Sequence, residues 1–539
     1  MFNSIAYNAS WDLEINQKNG GKKMSFMNAV KNTLNEDFNY SATENGALGY
    51  RTSGKELVDL NFAVSSMRSM SDEDIYNKFT KAYFEDKMMA LRWLFFARDV
   101  RGGLGERRLF RVILKNLAND DTDIVKHLVP LVSEYGRYDD LWCLLGTDVD
   151  SVIFDIIKKQ LTYDIVNMVA NKPVSLLAKW LPSENASSVK TKMNARYICK
   201  NLCITEREYR RTLSSLRSYI DIVESKMSAK KWKEIKYEMV PSRANLIYNS
   251  AFIRNDEERR REYLSKLENG ETKINAGTLF PHDIVHKYSV STGWDTCVGD
   301  YDETLESLWK ALPDIVNECG NTIVVADGSG SMTCDVGGNS HVTALEVANA
   351  LAIYFAEHSS GDFKDKYITF SSRPQLVDFS QCDSLRDKLR VAYTHNECTN
   401  TNIEKVFDLI LTTAINGHMK QADIPKNVLI ISDMEFDYCA TCNGSNRYFN
   451  KPNARLFEVI KKRFEDAGYQ MPRLVFWNVN SRTSTIPVKE NDLGVALVSG
   501  FSTNVCKMVM SGKTDPYECL VETLMSERYN AVEDALKNS

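Results

Sequence analysis

The spacing of apolar residues changes character near Leu312-Pro313 and divides the chain in two. Upstream, from Glu56 to Tyr288, apolar positions recur every three or four residues, the period of helices with one buried face. Ile75, Phe79 and Tyr83 predict a helix over 72–84, and Ser71 ahead of Asp72, Glu73 and Asp74 supplies an N-cap with acids in the first turn. Met88, Leu91, Leu94 and Phe95 predict another over 87–98. Further helices are expected over 109–117, 123–135, 139–145 and 151–161. Thr205-Glu-Arg-Glu208 fits a capping box opening a helix that runs towards Ser225. Successive short helices without strands predict an all-α layer of paired, HEAT-like helices, although no exact repeat period is present.

Downstream, short apolar runs alternate with helical patterns. Strands are expected over 322–326, 366–371, 375–379, 427–431, 473–478 and 494–499. Helices are expected over 343–358, 383–392, 402–415 and 454–467, with a last one after Ser502. Alternating strand and helix predicts a doubly wound, mostly parallel α/β sheet. The expected layout is a polar N-terminal arm over 1–50, with one amphipathic piece at 24–34, an all-α domain over 51–311 and an α/β domain over 312–539.

Composition narrows the function classes. At 539 residues, 43% hydrophobic and 26% charged, the chain is of the soluble globular kind and long enough for two or three domains. No run approaches the 18 or so apolar residues of a membrane span, and the N-terminus lacks the basic start and apolar stretch of a secretory leader. Twelve scattered cysteines read as reduced thiols, so a cytoplasmic location is expected. The net charge of −5 is unevenly spread: residues 1–300 hold 44 Lys and Arg against 40 Asp and Glu, and residues 151–250 hold 18 against 9. Such a basic segment is either a nucleic-acid footprint or the solvated face of several helices.

The candidate chemistry starts at Asp327-Gly-Ser-Gly-Ser331, which follows the apolar run Ile323 to Ala326. In a parallel sheet, ligands bind beyond the carboxyl ends of the strands, where Asp327, Ser329 and Ser331 would sit. One carboxylate and two hydroxyls are hard oxygen donors suited to Mg2+, though Gly, Ser and Asp also compose ordinary turns. Thr401, in the loop before the 402–415 helix, and Asp433, just after the run Val428 to Ile431, are placed at the same rim. Thr399 rivals Thr401 for the threonine position.

Asp327, Ser329, Ser331, Thr401-Asn-Ile403 and Asp433 together resemble the metal-ion-dependent adhesion site (MIDAS) of a von Willebrand factor A domain. That resemblance implies direct ligation of Mg2+, or another divalent cation such as Mn2+, by Ser329 and Ser331. It implies direct or water-mediated roles for Asp327, Thr401 and Asp433, and an open position for an acidic partner. A helical region followed by one such domain is similar to the Ro ribonucleoprotein family, whose helical TROVE module binds small non-coding RNAs. It is more closely similar to uncharacterised plant, fungal and viral proteins. That match is carried by Arg101-Gly-Gly-Leu-Gly-Glu-Arg-Arg108, Tyr135-Gly-Arg-Tyr-Asp-Asp-Leu-Trp142, Lys179-Trp-Leu-Pro-Ser183, Tyr209 to Arg217, Val240-Pro-Ser-Arg243 and Phe280-Pro-His-Asp-Ile-Val285.

For RNA, the residues themselves nominate Arg107 and Arg108 behind a glycine-rich stretch, then Arg207, Arg210, Arg211 and Arg217. Lys230 and Lys231 follow in a stripe that also holds Lys226, Lys233 and Lys236. Tyr209, Tyr219 and Trp232 are interleaved as stacking candidates, or as core. Hydrolytic readings fare worse. Ser329 stands where a dehalogenase-type phosphatase needs a second aspartate, the loop is not a Gly-x-Ser-x-Gly elbow, and no histidine is suitably placed. Cys439-Ala-Thr-Cys442 has no second pair to complete a zinc site.

The leading expectation is therefore a non-enzymatic, Ro-like RNA-binding protein whose Mg2+-dependent domain recruits an acidic protein partner, with no membrane association. An RNA-independent interaction scaffold, including one in a viral or phage particle, is the alternative. A Mg2+-dependent hydrolase is a minor one.

Overall fold

The computed structural model describes residues 39–44, 48–291, 296–315, 321–337, 341–370, 373–396, 402–436, 454–487, 495–505, 508 and 515–537. A hairpin of β1 (Tyr40–Ala42) and β2 (Leu48–Tyr50) leads into α1 (Glu56–Phe62). Then come α2 (Asp72–Glu85), α3 (Lys87–Arg98) and α4 (Arg108–Asp120). The expected cap of α2 is present, with the Ser71 hydroxyl accepting from the Asp74 N–H at 3.1 Å. The predicted amphipathic piece at 24–34 lies outside the described residues.

Three predicted helices differ from the pattern, each for a local reason. The run over 123–135 is broken into Thr122–Leu128, a 3-10 turn Val129–Leu131 and Val132–Tyr135, because Pro130 has no N–H to continue an α-helix. The run over 139–145 is the 3-10 helix Tyr138–Cys143. The helix after Thr205 has its capping box but stops at Ile220, where Asp221 takes a left-handed conformation (φ 62°), and Val223–Ser228 is separate. Helix α5 (Asp150–Val169) is longer than expected, α6 is Glu206–Ile220, and α7 (Ser242–Glu268) is interrupted at Asp256. After α8 (Pro281–Tyr288), a small hairpin of β3 (Ser289–Ser291) and β4 (Thr296–Val298) interrupts the helical region.

The downstream half contains a six-stranded sheet. Its strands are β5 (Thr322–Asp327), β6 (Lys366–Phe370), β7 (Leu376–Asp378), β8 (Asn427–Ser432), β9 (Arg473–Asn478) and β10 (Val495–Ser499). They lie in the order β10-β9-β8-β5-β6-β7, all neighbours parallel except β6 and β7. The uninterrupted apolar runs of β5, β8 and β9 are buried on both faces, as a covered parallel sheet demands. Chain order switches sides between β5 and β8, which opens a crevice at their carboxyl ends.

Helix α9 (Ala344–His358) lies between this sheet and α8 and is buried along nearly its whole length. Helix α10 (Ile403–Asn416) and the helix Ala454–Asp466 cover the opposite face, where Phe407 and Phe464 pack with Ile323, Val325, Val428 and Ile430. Residues on both sides of Leu312 contribute to one continuous apolar core, from Leu57 through Trp309 and Phe355 to Val532. The chain ends, α11 (Pro516–Leu524) and α12 (Asn530–Lys537), pack against α3. There the buried Arg92 donates to the Leu524 carbonyl at 2.9 Å and to Glu533 at 2.5 Å. From the first helices, α1 meets the sheet edge: the Asn478 amide donates to the Phe62 carbonyl at 2.9 Å, and Ser65 N–H donates to Ser499 Oγ at 3.2 Å. Tyr50 and Ile486 exchange two backbone hydrogen bonds, both 2.8 Å, which dock β2 on the downstream half. Gly49 permits that approach, since a Cβ there would lie 2.6 Å from the Ile486 carbonyl oxygen.

Candidate metal centre

The crevice between β5 and β8 gathers the predicted oxygen donors. Asp327 ends β5 and Asp433 follows β8; these neighbouring strands run parallel, with Ala326 opposite Ile431, so the two carboxylates reach one rim. Asp327 is buried, and its Oδ2 accepts from the Ser432 hydroxyl at 2.5 Å while Oδ1 accepts from the Ser329 N–H at 2.9 Å. The Ser329 and Ser331 hydroxyl oxygens lie 3.0 Å apart. Asp433 is fully buried; its Oδ1 accepts from the Glu435 N–H at 3.2 Å, whereas Oδ2 has no hydrogen bond. Arg482 Nη2 lies at an ion-pair distance of 3.4 Å from that oxygen. Met434, between the two acids of the turn, is held at φ +64°, a strained conformation for a side chain of its size.

Burial pushes the Asp327 carboxyl up to about 7, and the neighbouring charge of Asp433 adds to the rise. Burial also raises Asp433, against the lowering effects of the Ser331 hydroxyl, the Glu435 N–H and Arg482. Two buried carboxylates that repel each other, one with an oxygen that makes no hydrogen bond and only a 3.4 Å ion pair to Arg482, stand beside two neutral hydroxyls, a donor set that a small hard cation relieves. Among the described residues no group of three or more His, Cys, Asp or Glu side chains forms an alternative ligand set. Asp327, Ser329, Ser331 and Asp433 thus fit Mg2+. Thr401 and Thr399 lie outside the described residues. The described flanks of their loop are Asn396, which crowds Gly328, and Asn402, whose side chain caps α10.

Sequence reasoning missed the residue that builds the outer wall. Glu435, fully buried, accepts through Oε1 from the N–H groups of Arg482 (2.9 Å) and Thr483 (3.0 Å) and from the Thr483 hydroxyl (3.0 Å). Its Oε2 accepts from the Glu44 N–H at 2.9 Å. Its only signal was position, two residues beyond a strand-terminal acid.

The candidate RNA residues separate into two groups. Arg108 donates to the carbonyls of Met67, Arg68 and Met70 and pairs with Asp72, so it holds α4 against the turn before α2. Arg217 donates to the Ala178 and Leu181 carbonyls and to Ser183. Arg210 pairs with Glu184, and Lys231 with Glu234. These lie around a cleft of about 530 Å³ whose cations are already matched, Lys226 by Asp221 included. Arg207, Arg211 and Lys230 are exposed and engage no carboxylate among the described residues. Arg107 is also exposed, and partial desolvation beside Arg137 depresses its guanidinium to about 10. Of the aromatics, Tyr209 is core, Tyr219 donates to the Lys172 carbonyl, and Trp232 packs against a small buried cluster. The glycine-rich stretch is a helix–helix turn: a Cβ on Gly103 would meet the Phe96 carbonyl oxygen at 2.0 Å, and Glu106 pairs with Arg68 at 2.6 Å. Cys439 and Cys442 lie outside the described residues.

Residues 321–537 match the model of a domain of unknown function, DUF7788, and residues 185–322 match that of a second, DUF2828. The chain is similar to the uncharacterized protein L728 of Acanthamoeba polyphaga mimivirus, with 30% identity over 526 residues that cover 90% of this chain and 87% of that protein. A solved structure, that of the RO (RSR) protein of Deinococcus radiodurans, covers 88% of this chain and 100% of its own at 12% identity and a TM-score of 0.43.

Proposed function

Since the chain belongs to the family of the mimivirus protein L728, which brings a layout but no activity, we propose from the site itself that it is a non-enzymatic, cation-dependent docking protein. The observation that carries this reading is the buried Asp433 Oδ2, without a hydrogen bond, beside Asp327 and the paired hydroxyls of Ser329 and Ser331. A divalent cation there, Mg2+ or Mn2+, prefers six oxygen ligands, so these four side chains leave coordination positions that water or an incoming carboxylate oxygen can take. The chain's residues orient the donors: Ser432 and the Ser329 N–H hold Asp327, and the Glu435 N–H holds Asp433. The site is of the von Willebrand A type, and the ligand class is an Asp- or Glu-bearing protein segment.

A second reading, RNA binding by the helical half, is favoured by the exposed Arg207 and Arg211 on α6 with Lys230 beyond it. Cations without acidic partners are the ones that release counterions to a phosphate backbone. Among the described residues no helix is long and apolar enough to cross a membrane. A viral relative is compatible with a role in a viral particle.

The test is affinity capture of the full chain with and without Mg2+, comparing wild type with Ser329→Ala and Asp433→Ala and sequencing any RNA recovered. Protein partners lost with the metal and with both variants support the docking reading. Partners indifferent to both overturn it, and RNA retained irrespective of Mg2+ supports the second reading.

A further inference from the structure

The rim of the oxygen-rich site is already faced by an acid of the same chain. Arg482 Nη2, 3.4 Å from the unbonded Asp433 Oδ2, is also 2.8 Å from Glu44 Oε2, and its Nε donates to the same Glu44 oxygen at 2.9 Å. The other guanidinium nitrogen, Nη1, donates to the Ser331 carbonyl at 3.4 Å. One side chain therefore touches the Asp433 carboxylate and the Ser331 backbone and holds a second carboxylate beside them.

The placement is built. The Glu44 N–H is fixed on Glu435, which also holds the Arg482 and Thr483 backbone, so one buried carboxylate sets the N-terminal segment against the 481–483 loop. The Thr43 hydroxyl donates to the Phe436 carbonyl at 2.7 Å, and the Tyr50–Ile486 bonds anchor the strand beyond. The backbone is thus held while the Glu44 side chain is half-exposed, and among the described residues a part-exposed guanidinium alone retains it.

We propose that Glu44 is an intramolecular stand-in for the acidic partner: it occupies the mouth of the site in the free chain, and a partner carboxylate must displace it from Arg482 to dock. The proposal rests on the docking reading above. It assigns Arg482 as the positioning residue that exchanges one carboxylate for another. It also assigns the 39–44 segment as a cap whose backbone stays while its acid swings away. A half-exposed ion pair is a weak latch, so the cap lowers apparent affinity for an acidic ligand by only about 2–5-fold, as a partly populated closed state does.

The experiment uses the full chain and two probes, Mn2+ alone followed by electron paramagnetic resonance, and a fluorescein-labelled hexaglutamate peptide followed by anisotropy in Mg2+. Glu44→Gln, on an exposed side chain, is expected to bind Mn2+ as wild type does and the peptide about 2–5-fold more tightly. Asp433→Ala is expected to bind neither. If Glu44→Gln holds Mn2+ but gains no affinity for the peptide, the cap is wrong and the metal site stands. If wild type fails to bind Mn2+, or Asp433→Ala binds it equally, the site fails and the cap falls with it.

Discussion

The ring nitrogen Nδ1 of His286 on α8 lies 3.1 Å from both carboxylate oxygens of Glu346 on α9. The bond to Glu346 raises the imidazole above its ordinary value of 6.5, against the opposing effects of partial burial and Lys287. Glu346 lies below its ordinary 4.5: burial alone would raise it, and His286 together with the Thr343 N–H outweighs that. The raised histidine contributes stability that is complete below 6.5 and fades as pH rises through its folded value. The depressed glutamate contributes stability that is complete above 4.5 and fades as pH falls through its own. The pair is therefore strongest between pH 4.5 and 6.5. His286→Ala is expected to cost about 1 kcal/mol in that window and less at pH 8. Thermal melts of both proteins across pH check this, and a difference that does not change with pH would refute it.

Asp140, with no exposed surface, accepts from Arg98 Nε at 2.8 Å, Arg111 Nε at 2.6 Å and the Arg137 N–H at 2.9 Å. Asp140→Ala strands the buried Arg98 and is expected to lower stability by about 3–5 kcal/mol. Asp139→Ala, which removes only part-exposed pairs with Arg111 and Arg137, is expected to cost about 1 kcal/mol or less. Urea unfolding midpoints that are equal for the two variants would contradict the assignment.

At the rim, removing one charge and removing the metal should act in opposite directions. With divalent cations chelated, Asp433→Asn relieves repulsion on Asp327 and is expected to melt no lower than wild type. In Mg2+ at a hundredfold excess over its dissociation constant, wild type is expected to gain about 2.7 kcal/mol and the variant essentially nothing. A Mg2+-dependent shift of equal size in both would remove Asp433 from the ligand set.

For the second reading, the charge reversals Arg207→Glu, Arg211→Glu and Lys230→Glu together should weaken single-stranded RNA binding and flatten its salt dependence by a slope of about 2. Arg217→Ala should instead lower stability, because its guanidinium ties α6 to the 178–183 segment. Unchanged salt slopes for the triple variant, read from binding titrations, would exclude this face.

The six-stranded sheet was legible because β5, β8 and β9 are buried on both faces and cannot alternate polar with apolar. Asp433 was legible for the same reason, as the first charge after such a run. The breaks at Pro130 and Asp221 were missed because apolar spacing continues through them while the backbone does not. Arginine roles were hardest to read. Arg92, Arg108 and Arg217 look like any solvated charge until their carbonyl partners, distant in sequence, are in place. Glu44, Glu435 and Arg482 were invisible for that reason: nothing in an exposed-looking acid indicates that another segment will fold over it.

The joining of α3 to the last helix has a consequence for synthesis. Arg92 and Glu533 are 441 residues apart, so translation at the usual pace puts on the order of 20–90 s between them. Throughout that interval the face of α3 that will receive α11 and α12 is open, with a guanidinium awaiting its acid. The packing of α3 is thus completed only after the downstream half has been made.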